Sequence, residues 1–114
     1  MPISDSVVLV NRNGMGEAEP ELQTRLITTY FRLLDESDTL PGVICFYAEG
    51  VFLVVEDSPV LVSLLSLEDK GVHLVICNTC LTYYDLVKQV EVGVVGGMPD
   101  IIEAQRRAGK VITL

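Results

Sequence analysis

Tryptophan is absent from this 114-residue chain, and aromatic residues make up only 6% of it. That leaves little from which to build a stacking platform for single-stranded nucleic acid. Basic residues are scarce as well: 8 Lys and Arg stand against 16 Asp and Glu, a formal net charge of -8. A phosphate backbone would be repelled on average. The densest basic group, Arg106-Arg107 with Lys110, reads as the last turn of a helix, where the dipole favours cations. No apolar run approaches the ~18 residues of a membrane span. The first residues, Met1-Pro2-Ile3-Ser4-Asp5, lack the basic region and apolar stretch of a signal peptide. The chain has one His and three Cys. An odd cysteine count without a secretory signal points to free thiols in a reducing cytosol. The expectation is a cytoplasmic protein with no nucleic acid, membrane, metal or cofactor among its partners.

What is present suits one domain spanning residues 1–114, because 49% of the residues are hydrophobic and can build a sizeable core. Short apolar runs alternate with stretches of helical period. Val7 to Val10 reads as a buried strand, closed by Asn11-Arg12-Asn13-Gly14. Pro20 suits the first position of a helix. Leu22, Leu26, Ile27, Tyr30, Phe31 and Leu34 then share one face. Leu40-Pro41-Gly42 breaks the chain before a strand from Val43 to Tyr47, and Val51 to Val55 reads as a helical turn. Ser58-Pro59 predicts an N-cap and first helical position. The stripe of Val60, Leu61, Leu64 and Leu65 follows, and Gly71 stops that helix. His73 to Ile76 forms a third strand running into Cys77. Leu81 to Val87 reads as a short helix, Val92 to Val95 as a fourth strand, Pro99 to Ala108 as a helix and Lys110 to Leu114 as a fifth strand.

This alternation predicts an α/β fold with a mainly parallel sheet covered by helices. Strands that are apolar in runs fit burial on both faces. Chemistry in such folds collects beyond the carboxyl ends of the strands. Four loops should meet there: Asn11 to Gly16, Ala48 to Gly50, Cys77 to Cys80, and Gly96 to Met98.

The motif that can carry chemistry is Cys77-Asn78-Thr79-Cys80. Cys77 falls at the carboxyl end of the third strand. Cys80 falls in the first turn of the next helix if Asn78 or Thr79 is its N-cap. Unpaired amides at a helix start favour thiolate over thiol, and the thiolate is the nucleophile. Four readings compete. The pair could be inert packing, since free cysteine is often a small hydrophobe. A zinc site needs about four ligands and would have to be shared between subunits. A redox dithiol fits the spacing, but the Trp and Pro that usually surround a thioredoxin motif are missing. A persulfide carrier needs one accessible, activated thiol, with the second cysteine to resolve or modulate it.

Around this motif, Asn11, Asn13, Asn78, Thr79 and Met98 are candidate substrate contacts from the same sheet edge. Glu49 joins them as a ligand or hydrogen-bonding residue, because a carboxylate beside a thiol would raise its pKa. Arg12 could add positive charge there. Cys45 reads as core and His73 as a strand-end residue. Asn13-Gly14-Met15-Gly16 is neither GxGxxG nor a Walker A sequence.

Ser58-Pro59-Val60-Leu61, Gly71-Val72 and the strand leading into Cys77-Asn78-Thr79-Cys80-Leu81-Thr82-Tyr83-Tyr84 resemble the DsrE-like domain of YedF-type proteins. These are labelled sulfurtransferase-like proteins of selenium metabolism. The similarity continues through Val92-Gly93-Val94-Val95 and Met98-Pro99-Asp100-Ile101 to Val111-Ile112, and at the front includes Val8-Leu9-Val10-Asn11, Met15-Gly16 and Glu21-Leu22. The resemblance implies the DsrE/DsrF-like superfamily. Its fold is a three-layer α/β/α sandwich with a five-stranded, mainly parallel sheet. It also implies sulfur carried as a cysteine persulfide after the third strand, matched here by Cys77, and assembly as a trimer or hexamer. A TusA-like sulfur carrier becomes a partner, since the Cys-Pro-x-Pro segment that precedes this domain in YedF-type proteins is not found in this sequence. Asp85 stands where the superfamily often has glycine. The expected function is thus a sulfur carrier or sulfurtransferase working through Cys77 and Cys80. A non-catalytic oligomeric interaction module and a dithiol oxidoreductase are the alternatives.

Overall fold

In the computed structural model, which describes residues 3–114, five strands form one parallel sheet in the order β4-β3-β2-β1-β5. The strands are β1 (Ser6–Val10), β2 (Val43–Phe46), β3 (His73–Cys77), β4 (Val94–Gly96) and β5 (Lys110–Thr113). The helices are α1 (Pro20–Glu36), α2 (Leu61–Asp69), α3 (Asn78–Tyr83) and α4 (Met98–Arg107). Two 3-10 segments, Ala48–Val54 and Val87–Gln89, complete the chain.

Alternate residues of each strand feed two cores, which makes the three-layer α/β/α sandwich. On one face, Val8, Val10, Ile44, Phe46, Leu74 and Ile76 pack against α1, α2 and the first 3-10 segment. On the other, Val7, Leu9, Cys45, Val75 and Cys77 pack against Ile101 of α4. Burial on both faces explains why the central strands are unbroken apolar runs. Pro20 sits in the first turn of α1, and Ile27 and Phe31 are its fully buried residues. Leu22 and Leu26, on the same expected stripe, remain exposed. The stripe thus engages the sheet over the middle of the helix rather than from its start. At the end of α1, the Ser37 hydroxyl donates to the Leu34 carbonyl at 2.7 Å. In α4, the Asp100 carboxylate accepts the Gly97 N–H at 2.8 Å, closing the first turn. Its last turn carries Arg106 and Arg107, both paired to Glu103.

Several expected boundaries move, and for three elements the local reason is visible. The Ser58-Pro59 pair does not start α2. The Ser58 hydroxyl instead accepts the Val60 N–H at 3.3 Å in a turn, and the helix begins at Leu61. β4 begins at Val94 rather than Val92, because Gly93 adopts φ 89° and gives its N–H to the Glu68 carboxylate at 3.0 Å. The helix expected from Leu81 to Val87 starts directly after β3 at Asn78 and ends at Tyr83. Asp85 then takes φ 58° and breaks it. That left-handed conformation accounts for the glycine expected there, since Asp tolerates the region less freely than Gly.

Cys45 has no exposed surface, and burial pushes its thiol up to about 11. The unfolded chain ionises this thiol near its ordinary value, while the native state holds the proton. Stability contributed by the neutral form is therefore complete below the unfolded value and is lost as pH rises toward about 11. Urea denaturation of wild type should show stability falling more steeply than in Cys45→Ala over this alkaline window. The difference should reach about 1.4 kcal/mol per pH unit.

Candidate functional site

The thiol site sits where β3 ends. Cys77 is the last residue of β3 and the N-cap of α3. Its side chain is buried beneath α4, at 1% exposure. Cys80 lies one turn further, partly exposed, and touches both cores. The two residues come within 3.3 Å of one another, close enough for the Cys77 thiol to push the Cys80 thiol up. All three cysteines are free. The motif resemblance points to Cys77 as the sulfur-bearing residue; the structure leaves Cys80 the more open thiol of the pair.

The polar partner of Cys80 comes from outside its own helix. The backbone N–H of Ala48 donates to Cys80 Sγ at 3.1 Å. This corrects the expectation that the amides at the start of α3 would hold the thiol. Neither Asn78 nor Thr79 is the N-cap; both lie within α3 and are exposed. Nor does the balance favour the thiolate at rest. Burial and the neighbouring Cys77 thiol push Cys80 up from its ordinary value, while the Ala48 N–H pulls it down. The thiol is therefore held neutral, with one amide positioned to receive charge when it forms.

Ala48 reaches Cys80 because the chain turns sharply after β2. Ala48 has φ 50°, a conformation that costs an alanine about 1 kcal/mol or more. The turn is held on both sides: Tyr47 N–H donates to the Val10 carbonyl at 3.0 Å, and Gly50 N–H donates to the Tyr47 carbonyl at 2.9 Å. A Cβ on Gly50 would collide with the Val10 carbonyl oxygen, so only glycine allows the two backbones to approach.

Beside this turn, at the carboxyl ends of β1 and β2, opens a cavity of about 460 Å3. The loop after β1 lines it with Asn11, Arg12 and Glu17, and the turn after β2 with Tyr47, Ala48 and Glu49. Asn11 Nδ2 donates to the Tyr47 hydroxyl at 3.4 Å. Arg12 and Glu17 lie 3.8 Å apart, with Glu17 mostly in solvent. Tyr84 packs against Phe52, with ring centroids 4.8 Å apart, and takes the edge of Tyr83 at 5.1 Å. Desolvation, then the Glu49 carboxylate, pushes the Tyr84 phenol up, so it stays protonated. A cavity of about 310 Å3 at the amino ends of β1 and β5, lined by Asp5, Tyr30 and Lys110, is remote from the thiols.

Of the residues expected at the site, Cys77, Cys80, Asn11 and Glu49 converge on this edge, as does Arg12. Asn13 is exposed outside the cavity lining, and Met98 is the exposed first residue of α4. The residues the sequence did not single out are Ala48 and Tyr47. Ala48 acts through a backbone N–H, which no side-chain pattern can flag. Gly50, two residues on, was the available signal of a close backbone approach.

Residues 5–114 match the DsrE/DsrF-like family. The chain belongs to that family. No curated protein sequence matches it. Among solved structures it is similar to MTH1491 from Methanobacterium thermoautotrophicum, described as a protein of unknown function, at 18% identity and TM-score 0.68, over 100% of both chains. It is also similar to the ychN protein from E. coli at 17% identity and TM-score 0.62, covering 96% of this chain and 98% of that one. BT1422 from Bacteroides thetaiotaomicron, a conserved protein of unknown function, aligns at 14% identity and TM-score 0.64, over 96% and 95% of the two chains.

Replacing Gly50 with Ala should destabilise the fold by about 1–3 kcal/mol in denaturant titrations, because backbone rather than a side chain must move. It should also alter the alkylation rate of Cys80, since the Ala48 amide moves with the turn.

Proposed function

We propose that the protein is a sulfur carrier in which Cys80 receives sulfane sulfur and Cys77 acts as its partner thiol. The observation that carries this reading is the Ala48 N–H aimed at the sulfur of Cys80, the more open cysteine of the pair. Membership of the DsrE/DsrF-like family supports it. As thiolate, Cys80 attacks the terminal sulfur of a donor persulfide, R–S–SH. The donor S–S bond breaks and R–S⁻ departs, leaving Cys80–S–SH. The acceptor thiolate then attacks the outer sulfur in the same way, and Cys80 is regenerated.

Cys77 lies close enough to offer a second fate. Its thiolate can attack the inner sulfur of the Cys80 persulfide, giving a Cys77–Cys80 disulfide and releasing HS⁻. The same proximity favours dithiol–disulfide chemistry as the second reading. Assembly into a trimer or hexamer and exchange with a TusA-like carrier belong to the carrier reading. Apolar exposure along edge strand β4 and on α4, at Val94, Met98 and Ile102, supports the assembly.

Reduced protein treated with a persulfide donor should gain one sulfur by intact-mass analysis. Cys80→Ser should abolish the adduct, whereas Cys77→Ser should prolong its lifetime by removing the internal attacker. A wild type that gains no sulfur, or a Cys80→Ser variant that loads normally, overturns the reading.

The pH dependence follows from the raised Cys80 thiol. Only the thiolate reacts, so the iodoacetamide rate at Cys80 should climb with pH and inflect above the ordinary thiol value. An inflection below that value would contradict the desolvated, neutral resting state.

A further inference from the structure

Building on the carrier reading, we infer that the cavity beside Cys80 binds a low-molecular-weight persulfide of amino-acid type, its carboxylate on Arg12 and its ammonium on Glu49. The volume, about 460 Å3, lies within the range of small-molecule sites. Ala48 links the two features: it lines the cavity, and its N–H holds the Cys80 sulfur. Cys80 is not itself in the lining, so a donor seated there must extend its sulfane sulfur past Ala48 to reach the thiol.

The charges of the lining select the ligand class. Arg12 is its one cation, while Glu17 and Glu49 are carboxylates. A dianion such as thiosulfate meets two like charges and one opposite charge, so it is repelled overall. A zwitterion satisfies both signs. The guanidinium fork fits a carboxylate through two parallel hydrogen bonds. Its existing partner is easily displaced, because an exposed pair at 3.8 Å contributes little. Asn11 and the Tyr47 hydroxyl, held at a long 3.4 Å, retain capacity for further polar contacts.

The transfer balances without an oxidant or reductant. Cys80 loses its proton, its sulfur bonds to the terminal sulfur of the persulfide, and the electron pair of the broken S–S bond leaves on the amino-acid thiolate. That thiolate takes up a proton in turn.

Three probes separate the parts of the ligand: cysteine hydropersulfide, cysteamine hydropersulfide without the carboxylate, and N-acetylcysteine hydropersulfide without the ammonium. Initial rates of one-sulfur gain are read by intact mass. Wild type should favour cysteine hydropersulfide over each analogue by about tenfold, the scale of one charge-assisted contact. R12Q should bring the cysteine-to-cysteamine ratio toward one, and E49Q the cysteine-to-N-acetylcysteine ratio. Comparing each ratio between wild type and variant cancels differences between leaving groups and any general effect of the substitutions. Ratios that neither substitution changes overturn the assignment of the cavity while leaving the carrier reading intact. Loading only from a persulfide borne on a protein cysteine does the same. Failure of every donor to load Cys80 removes the carrier reading, and the cavity assignment falls with it.

Discussion

Backbone resting on backbone, where Gly50 meets the Val10 carbonyl, is the constraint on which the thiol site depends. It draws the turn after β2 against the end of β1 and fixes Ala48 in a left-handed conformation. It also aims one amide across to α3. Cys80 therefore takes its polar partner from a rigid neighbouring turn rather than from its own short helix. A donor held by two flanking strands needs little reorganisation when charge develops on sulfur, which is the advantage of a preorganised dipole.

The electrostatics of the pair follow from the same layering. The carboxyl end of β3 is covered from both sides, so Cys77 is sealed beneath α4 and Cys80 sits at the boundary between the two cores. Desolvation works against a thiolate there, and the single amide only partly offsets it. Cys80 is thus neutral at rest and next to Cys77, with the polar cavity and the Phe52–Tyr84 aromatic contact nearby. A site so arranged is guarded against indiscriminate oxidation but retains a route by which negative charge can be accepted.

Much of the architecture could be read from the sequence because the central strands are two-face buried and apolar in unbroken runs. Val7 to Val10 and His73 to Ile76 announced themselves for that reason. Boundaries set by single backbone conformations were not legible. Gly93 delayed β4 and Asp85 shortened α3, while a hydroxyl turn at Ser58 postponed α2. At the site, the Cys77–Cys80 spacing and its place after β3 were visible. The order of exposure was not, because it depends on how α4 lies over the sheet. The Ala48 amide was invisible as well, since a main-chain donor leaves no trace in residue type. Arg12 could be named but not placed until β1 and β2 were paired in register.

The nearness of Cys77 and Cys80 along the chain bears on how the molecule would tolerate oxidation. A bond between them would enclose only the few residues from the end of β3 to the first turn of α3. Cross-links restrict an unfolded chain in proportion to the logarithm of the loop they close, so so small a ring constrains it least. Oxidation would then stabilise the domain less than a cross-link between distant strands would.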